Sequence, residues 1–263
     1  MKKIKLLLLS LAIGLAATAQ TKIGYYYNYD YQTATFSDMS GEDITCYGIT
    51  AAVQNSVKRD SLALQMTRYR AIYPNAKIAV VISTDTSIYT NVQRIKNFET
   101  LKSVTFDAYN LEREFWNGAG SFSQWCQWLR IIKRNFGSVE AYLGKFNQVQ
   151  ADSIVKICRK IYLHNYYTID KWSGKYCLDN DNGRLKYLAS AAYRNPAYNN
   201  TTFEVIPLFA NNEKGDSTGF QTSYLTGDAI IYCYQSYKKA FTAAAISYKS
   251  KLLVQSVQIY KKL

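Results

Sequence analysis

The sequence predicts a single (β/α)8 TIM barrel of the α/β class, and three observations carry that prediction. Short β-rich runs alternate with amphipathic segments from one end of the chain to the other. The part expected to fold is 244 of the 263 residues, close to the roughly 250 that one such barrel uses. No linker, low-complexity tract, charge block or internal repeat divides it.

Eight runs rich in Val, Ile and Tyr, bounded by polar, Gly or Asn breaks, read as strands. They are 22–29, 43–51, 76–84, 103–112, 138–145, 160–167, 202–210 and 251–260. Between them, 57–72, 88–101, 121–136, 148–158, 184–194 and 226–246 read as helices. The clearest is 121–136. Phe122, Cys126, Leu129, Ile132 and Phe136 recur at three or four residues and make one apolar stripe. Ser121 with Gln124 has the spacing of a capping box. Arg130, Lys133 and Arg134 lie where a helix dipole favours cations, and Gly137 ends the run. Segment 226–246 has a strand reading at Ala229–Tyr234, but the run into alanines favours helix.

Residues 1–19 read as a signal peptide. Lys2, Lys3 and Lys5 are basic, Ile4 to Leu15 is apolar apart from one lysine and one serine, and Ala17-Thr18-Ala19 is an A-x-A cleavage signal. Residues 20–263 are the barrel domain. The leader has no cysteine for a lipid anchor, and no later apolar run approaches the roughly 20 residues of a membrane helix. The expected product is exported: secreted, periplasmic or at the cell surface.

Composition excludes other classes. At 48% apolar and 15% aromatic residues the chain is not disordered. A single histidine, His164, argues against His-rich metal sites and two-histidine chemistry, so no metal or other cofactor is expected. The five cysteines are widely spaced, without CxxC, and read as buried thiols. The net charge of +13 falls to +10 without the leader lysines. Its basic residues are scattered through presumed helices, which reads as solvated faces rather than a nucleic-acid site.

Chemistry in such a barrel lies at the C-terminal ends of strands. The fourth strand runs VTFDAYNLEREFWN over 104–117. Side chains alternate along a strand, so Asn110, Glu112 and Glu114 share one face. Same-face neighbours are about 6.6 Å apart, close enough for two carboxyls to raise one pKa. A carboxyl held near neutrality is a general acid, and paired acids are the usual equipment for cleaving glycosidic bonds. Against this, Glu-x-Glu also occurs on solvated faces, and Arg113 between the pair fits an exposed loop.

FDAYNLERE resembles the fourth-strand motif of glycoside hydrolase family eighteen, the chitinases and endo-β-N-acetylglucosaminidases, which reads D-x-x-D-x-D-x-E. Asp107, after Phe106, matches the first Asp; Asn110 and Glu112 stand where the second and third would be; Glu114 matches the terminal glutamate. GYYYNY resembles the family's aromatic first strand. KIAVVIST resembles its third, without the usual SxGG. IYLHNYYTID resembles its sixth, with Tyr166 at the tyrosine and Tyr167 replacing the aspartate after it. The resemblance implies substrate-assisted retention. Glu114 would protonate the leaving oxygen, Glu112 would orient the 2-acetamido N–H, and Tyr166 would hydrogen-bond its carbonyl. Asp107 joins them as the motif's first acid. Asp→Glu at 112 adds a methylene, and a shift of that order can cost about 10²-fold in rate. Asn110 removes a charge and keeps a hydrogen-bonding role.

Tyr25, Tyr27 and Tyr29 would share one face of strand one, and Trp116 follows the acid pair. Tyr25, Tyr27, Trp116, Asn110 and Tyr167 are therefore the expected sugar contacts, since aromatic rings stack on sugars. Trp125 and Trp128, on a helix, read as packing, and His164 as a core histidine. Three readings follow: a glycosidase acting on N-acetylglucosamine-containing glycans, a barrel that binds glycan without cutting it, and a protein that associates with an anionic envelope surface through its basic residues.

Overall fold

The computed structural model describes residues 22–29, 36, 41–84, 87–164, 183–211, 252–253 and 256–261. Its strands are β1 (Lys22–Asn28), β2 (Asp43–Tyr47), β3 (Ile78–Ile82), β4 (Ala108–Leu111), β5 (Glu140–Leu143), β6 (Lys160–His164), β7 (Phe203–Asn211), β8 (Leu252–Leu253) and β9 (Ser256–Lys261). Every pairing is parallel. Strands β1 to β7 pair in sequence order; β9 joins β7 to β1, and β8 extends that last position along β7. Among the described residues the ring closes with eight strand positions, and only the short β8 has a single strand neighbour.

The helices are α1 (Ile49–Ala52), α2 (Ser56–Ile72), α3 (Ile88–Lys102), α4 (Phe122–Phe136), α5 (Gln148–Ile157) and α6 (Arg184–Arg194). The longer ones match the helical segments expected from sequence. The expected helix at 226–246 lies outside the described residues. Several strands are shorter than their composition suggested: the runs 76–84 and 138–145 give only β3 (Ile78–Ile82) and β5 (Glu140–Leu143), and in two others the backbone shows why. Gly48 adopts φ 81° and turns the chain into α1, so β2 stops at Tyr47. The run from Ser103 to Asp107 is a left-handed helix end followed by a loop, so β4 begins only at Ala108.

Caps fix where helices start. Ser121 accepts a bond from the Gln124 amide, and Asn147 and Gln150 form a reciprocal capping box at α5. Of the five cysteines, Cys46, Cys126 and Cys158 are free and buried, as their composition suggested; Cys177 and Cys233 lie outside the described residues.

Two cores result. The outer one lies between ring and helices and holds Ile78, Val80, Ile82, Leu111, Leu143, Ile161, Leu163 and the inner faces of α2 to α6, with Trp125 wholly buried. The inner one fills the ring with Tyr26, Val81, Tyr142, Tyr162, Ile206 and Leu208. At the N-terminal end of the ring the interior is polar. Lys160 pairs with Glu140 at 2.7 Å, and Tyr162 donates to Glu140 at 2.8 Å while accepting from Thr45 at 3.2 Å. Burial opposes the charge on Lys160, but Tyr162, Glu140 and Glu204 prevail and hold its pKa above the ordinary lysine value. No helix among the described residues is long and apolar enough to cross a membrane.

Candidate functional site

The C-terminal end of β4 places Glu112 at the mouth of the ring, one residue past the strand. Its carboxylate accepts a 2.6 Å bond from the Tyr26 hydroxyl, a group buried inside the barrel. Tyr26 sits among Tyr47, Tyr142 and Tyr162, with ring centroids 5.8 to 6.1 Å away. Tyr142 in turn packs against Trp116 at 5.7 Å and His164 at 5.6 Å. Glu112 therefore stands in an aromatic surround that hydrates a carboxylate poorly. Burial pushes its pKa up to about 7; the Tyr26 bond opposes this and the charge of Glu114 adds to it.

Glu114 does not continue the strand. It stands at the N-cap of a short 3-10 turn, Phe115–Asn117, with φ −85° and ψ 68°, and accepts a 2.6 Å bond from Nδ2 of the Asn117 side chain. The pair is an inner carboxyl held by a tyrosine and an outer one at the rim, near enough to couple electrostatically.

Trp116 is anchored by what is missing beneath it. A Cβ at Gly144 would lie 2.4 Å from its indole, so only glycine there lets the ring lie down against the end of β5. Beyond it, a cleft of about 560 Å³ opens between the β4–α4 and β5–α5 connections, lined by Phe115, Trp116, Phe122, Lys145, Gln150 and Tyr187 among others. It lies beside the carboxylates, and neither of them lines it.

Three expected site residues sit elsewhere. Asp107 precedes β4, at the opposite end of the barrel, where it accepts from Arg70 and from the Ile78 amide, both at 2.8 Å; it is a structural clamp there, not a mouth residue. Tyr25 packs against the outer core, because residues 25 and 29 of the first strand face the helices while Tyr26 faces inward. Asn110 is in the ring interior with no exposed surface, and neither its Oδ1 nor its Nδ2 has a partner among the described residues. Tyr166 and Tyr167 lie outside the described residues, as does the side chain of Tyr27.

Tyr26 was the residue missed. Its signal lay in parity: Tyr25 and Tyr29 pack toward the helices, which leaves Tyr26 to the interior. The same parity in β6 puts Ile161 and Leu163 outside and Lys160, Tyr162 and His164 inside. Among the described residues no group of three or more His, Cys, Asp or Glu side chains could hold a metal ion.

The molecule is thus a (β/α)8 barrel with two coupled carboxyls at its mouth. No family model matches the chain, and no curated protein matches it either. Solved structures share its fold. The catalytic domain of a hyperthermophilic chitinase from Pyrococcus furiosus is 9% identical, with a TM-score of 0.50, over 92% of this chain and 85% of that one. Active domain 2 of a thermostable chitinase from Pyrococcus furiosus, in catalytic-site mutants complexed with chito-oligosaccharides, is 9% identical with a TM-score of 0.50, over 90% and 82%. A xylanase, Xyn10A, from Cellvibrio japonicus is 12% identical with a TM-score of 0.43, over 94% and 88%. At such identities the likeness to the two chitinase domains establishes the fold alone.

Proposed function

We propose that the protein is an exported glycosidase acting on N-acetylglucosamine-containing glycans by a substrate-assisted, retaining mechanism. The observation that carries this reading is the inner carboxyl, Glu112, half-buried at the barrel mouth, held by Tyr26 and coupled to the outer carboxyl, Glu114. The fourth-strand resemblance to glycoside hydrolase family eighteen and the fold shared with the chitinase domains support it.

In this mechanism the 2-acetamido oxygen of the bound sugar attacks its own anomeric carbon. Glu114 gives its proton to the leaving glycosidic oxygen, then takes one from the water that opens the cyclic intermediate. Glu112 orients and polarises the acetamido N–H as charge builds on the ring. A carboxyl whose pKa lies near 7 suits a group that must hold or release a proton in mid-reaction. Tyr26 fixes its rotamer. Tyr166 remains the proposed donor to the acetamido carbonyl, and Trp116 the proposed aromatic contact.

The test is incubation with chito-oligosaccharides and with N-glycans, following products by NMR. The reading expects new reducing ends, with the β-anomer formed first. Tight glycan binding without any cleavage would favour the second reading, a barrel that binds glycan only. Asn110 and Glu112, which depart from the motif, are the observations behind that alternative.

A further inference from the structure

Each long helix runs back to the N-terminal end of the next strand, so α2 to α6 all finish on the face opposite the mouth. On that face the chain gathers cations that have no acidic partner among the described residues. Arg130, Lys133 and Arg134 stand on α4, Lys156 on the last turn of α5, and Arg159 in the turn into β6; all five are exposed. None makes an ion pair among the described residues, whereas Arg70, Lys102 and Arg194 at other helix ends pair with Asp107, Asp60 and Asp152. Lys133 Nζ donates to the Ile157 carbonyl at 2.7 Å, which brings the end of α4 against the end of α5 and unites the five in one patch. The helix dipole favours a cation in a last turn, but Arg130 and Arg134 are four apart on one helix, where like charges repel. The acids near them have other partners: Glu140 is inside the ring on Lys160, Asp152 is on Arg194, and Glu99, which lines a groove with Asn135 and Phe136 at the end of α4, accepts from the Phe106 backbone N–H and the Tyr109 hydroxyl. The same face carries exposed aliphatics, Ile72 at the end of α2 (66% exposed) and Leu101 in the last turn of α3 (61%).

We infer that this face docks on an anionic lipid surface. A soluble polyanion would use the cations and gain nothing from Ile72 and Leu101. A bilayer takes both, phosphate headgroups meeting the cations and the interfacial region receiving the aliphatics. Docked in this way, the barrel keeps its mouth turned to solution. The inference is independent of the chemistry proposed for Glu112 and Glu114.

The test is co-sedimentation of the full chain with vesicles of phosphatidylcholine alone and of phosphatidylcholine mixed equally with phosphatidylglycerol. The protein is expected to sediment with the mixed vesicles and not with the neutral ones, and to be released at about 1 M salt, where the screening length falls to about 3 Å. R130Q/R134Q/K156Q/R159Q, which leaves the Lys133–Ile157 bond intact, is expected to weaken binding by at least about a hundredfold. Ile72→Ser with Leu101→Ser is expected to weaken vesicle binding while leaving binding to dextran sulfate unchanged. Circular dichroism checks each fold, and where the quadruple variant does not fold, the salt release of the native chain decides. Equal binding to both vesicles, binding to neither, or no effect of the cation substitutions overturns the inference. So does vesicle binding indifferent to the serine pair, or dextran sulfate binding without vesicle binding.

Discussion

Glu112 is a carboxyl whose proton the folded protein holds more tightly than the unfolded chain does. Its pKa of about 7, against an ordinary 4.5, sets the sign. The stability this group contributes is complete below about pH 4.5 and is lost as pH rises through about 7, by at most about 3 kcal/mol. Glu112→Gln should therefore show a flatter dependence of melting temperature on pH between 4.5 and 7 than the native chain. A parallel decline in both would show that Glu112 ionises normally. Tyr26→Phe acts in the opposite sense to the aromatic surround's relief. It removes the one bond that favours the carboxylate, so the Glu112 midpoint should move further up, as followed by carboxyl NMR chemical shift. Gly144→Ala should destabilise by about 1–3 kcal/mol in urea unfolding and change tryptophan fluorescence, because the new methyl must displace the Trp116 ring.

At the scale of elements, the strand and helix positions were legible because period and punctuation agree. The stripe from Phe122 to Phe136 and the Ser121 cap place α4; the capping box of Asn147 and Gln150 at α5 is known from the structure. Asn147→Ala should cost about 1 kcal/mol in chemical denaturation, with unchanged secondary structure at low denaturant. What the sequence hid was the facing of β1 and the end of β4. Tyrosine suits either side of a barrel wall, so a run of three does not by itself fix which side each ring takes. Glu114 escaped the strand's alternation because β4 ends at Leu111 and the chain turns at the 3-10 segment. The two glutamates were legible as a pair, but their inner and outer positions come from that turn. Asp107 was misplaced for a related reason: the β-rich run 103–112 hid a helix end and a loop, so its first acid belongs to the far end of the barrel.

For the whole molecule, the closed ring separates the buried Lys160–Glu140 pair at one end from the Glu112–Glu114 pair at the other. The interior pair of Lys160 and Glu140 lies where neither partner is readily hydrated. Glu140→Gln leaves the Lys160 charge buried and should destabilise the barrel by about 3–5 kcal/mol, whereas replacing both by apolar residues of similar volume should cost far less. Calorimetry of the single and double variants distinguishes these outcomes. The mouth poses the larger question, whether the coupled carboxyls break a sugar–sugar bond. The most direct measurement is reducing-end release from chito-oligosaccharides by the native chain and by Glu114→Gln at matched folded concentration. Loss of turnover by at least about 10²-fold in the variant, with its melting temperature retained, is the expected result. Turnover that survives the substitution undiminished would contradict the role assigned to Glu114 and, with it, the carbohydrate chemistry of this barrel.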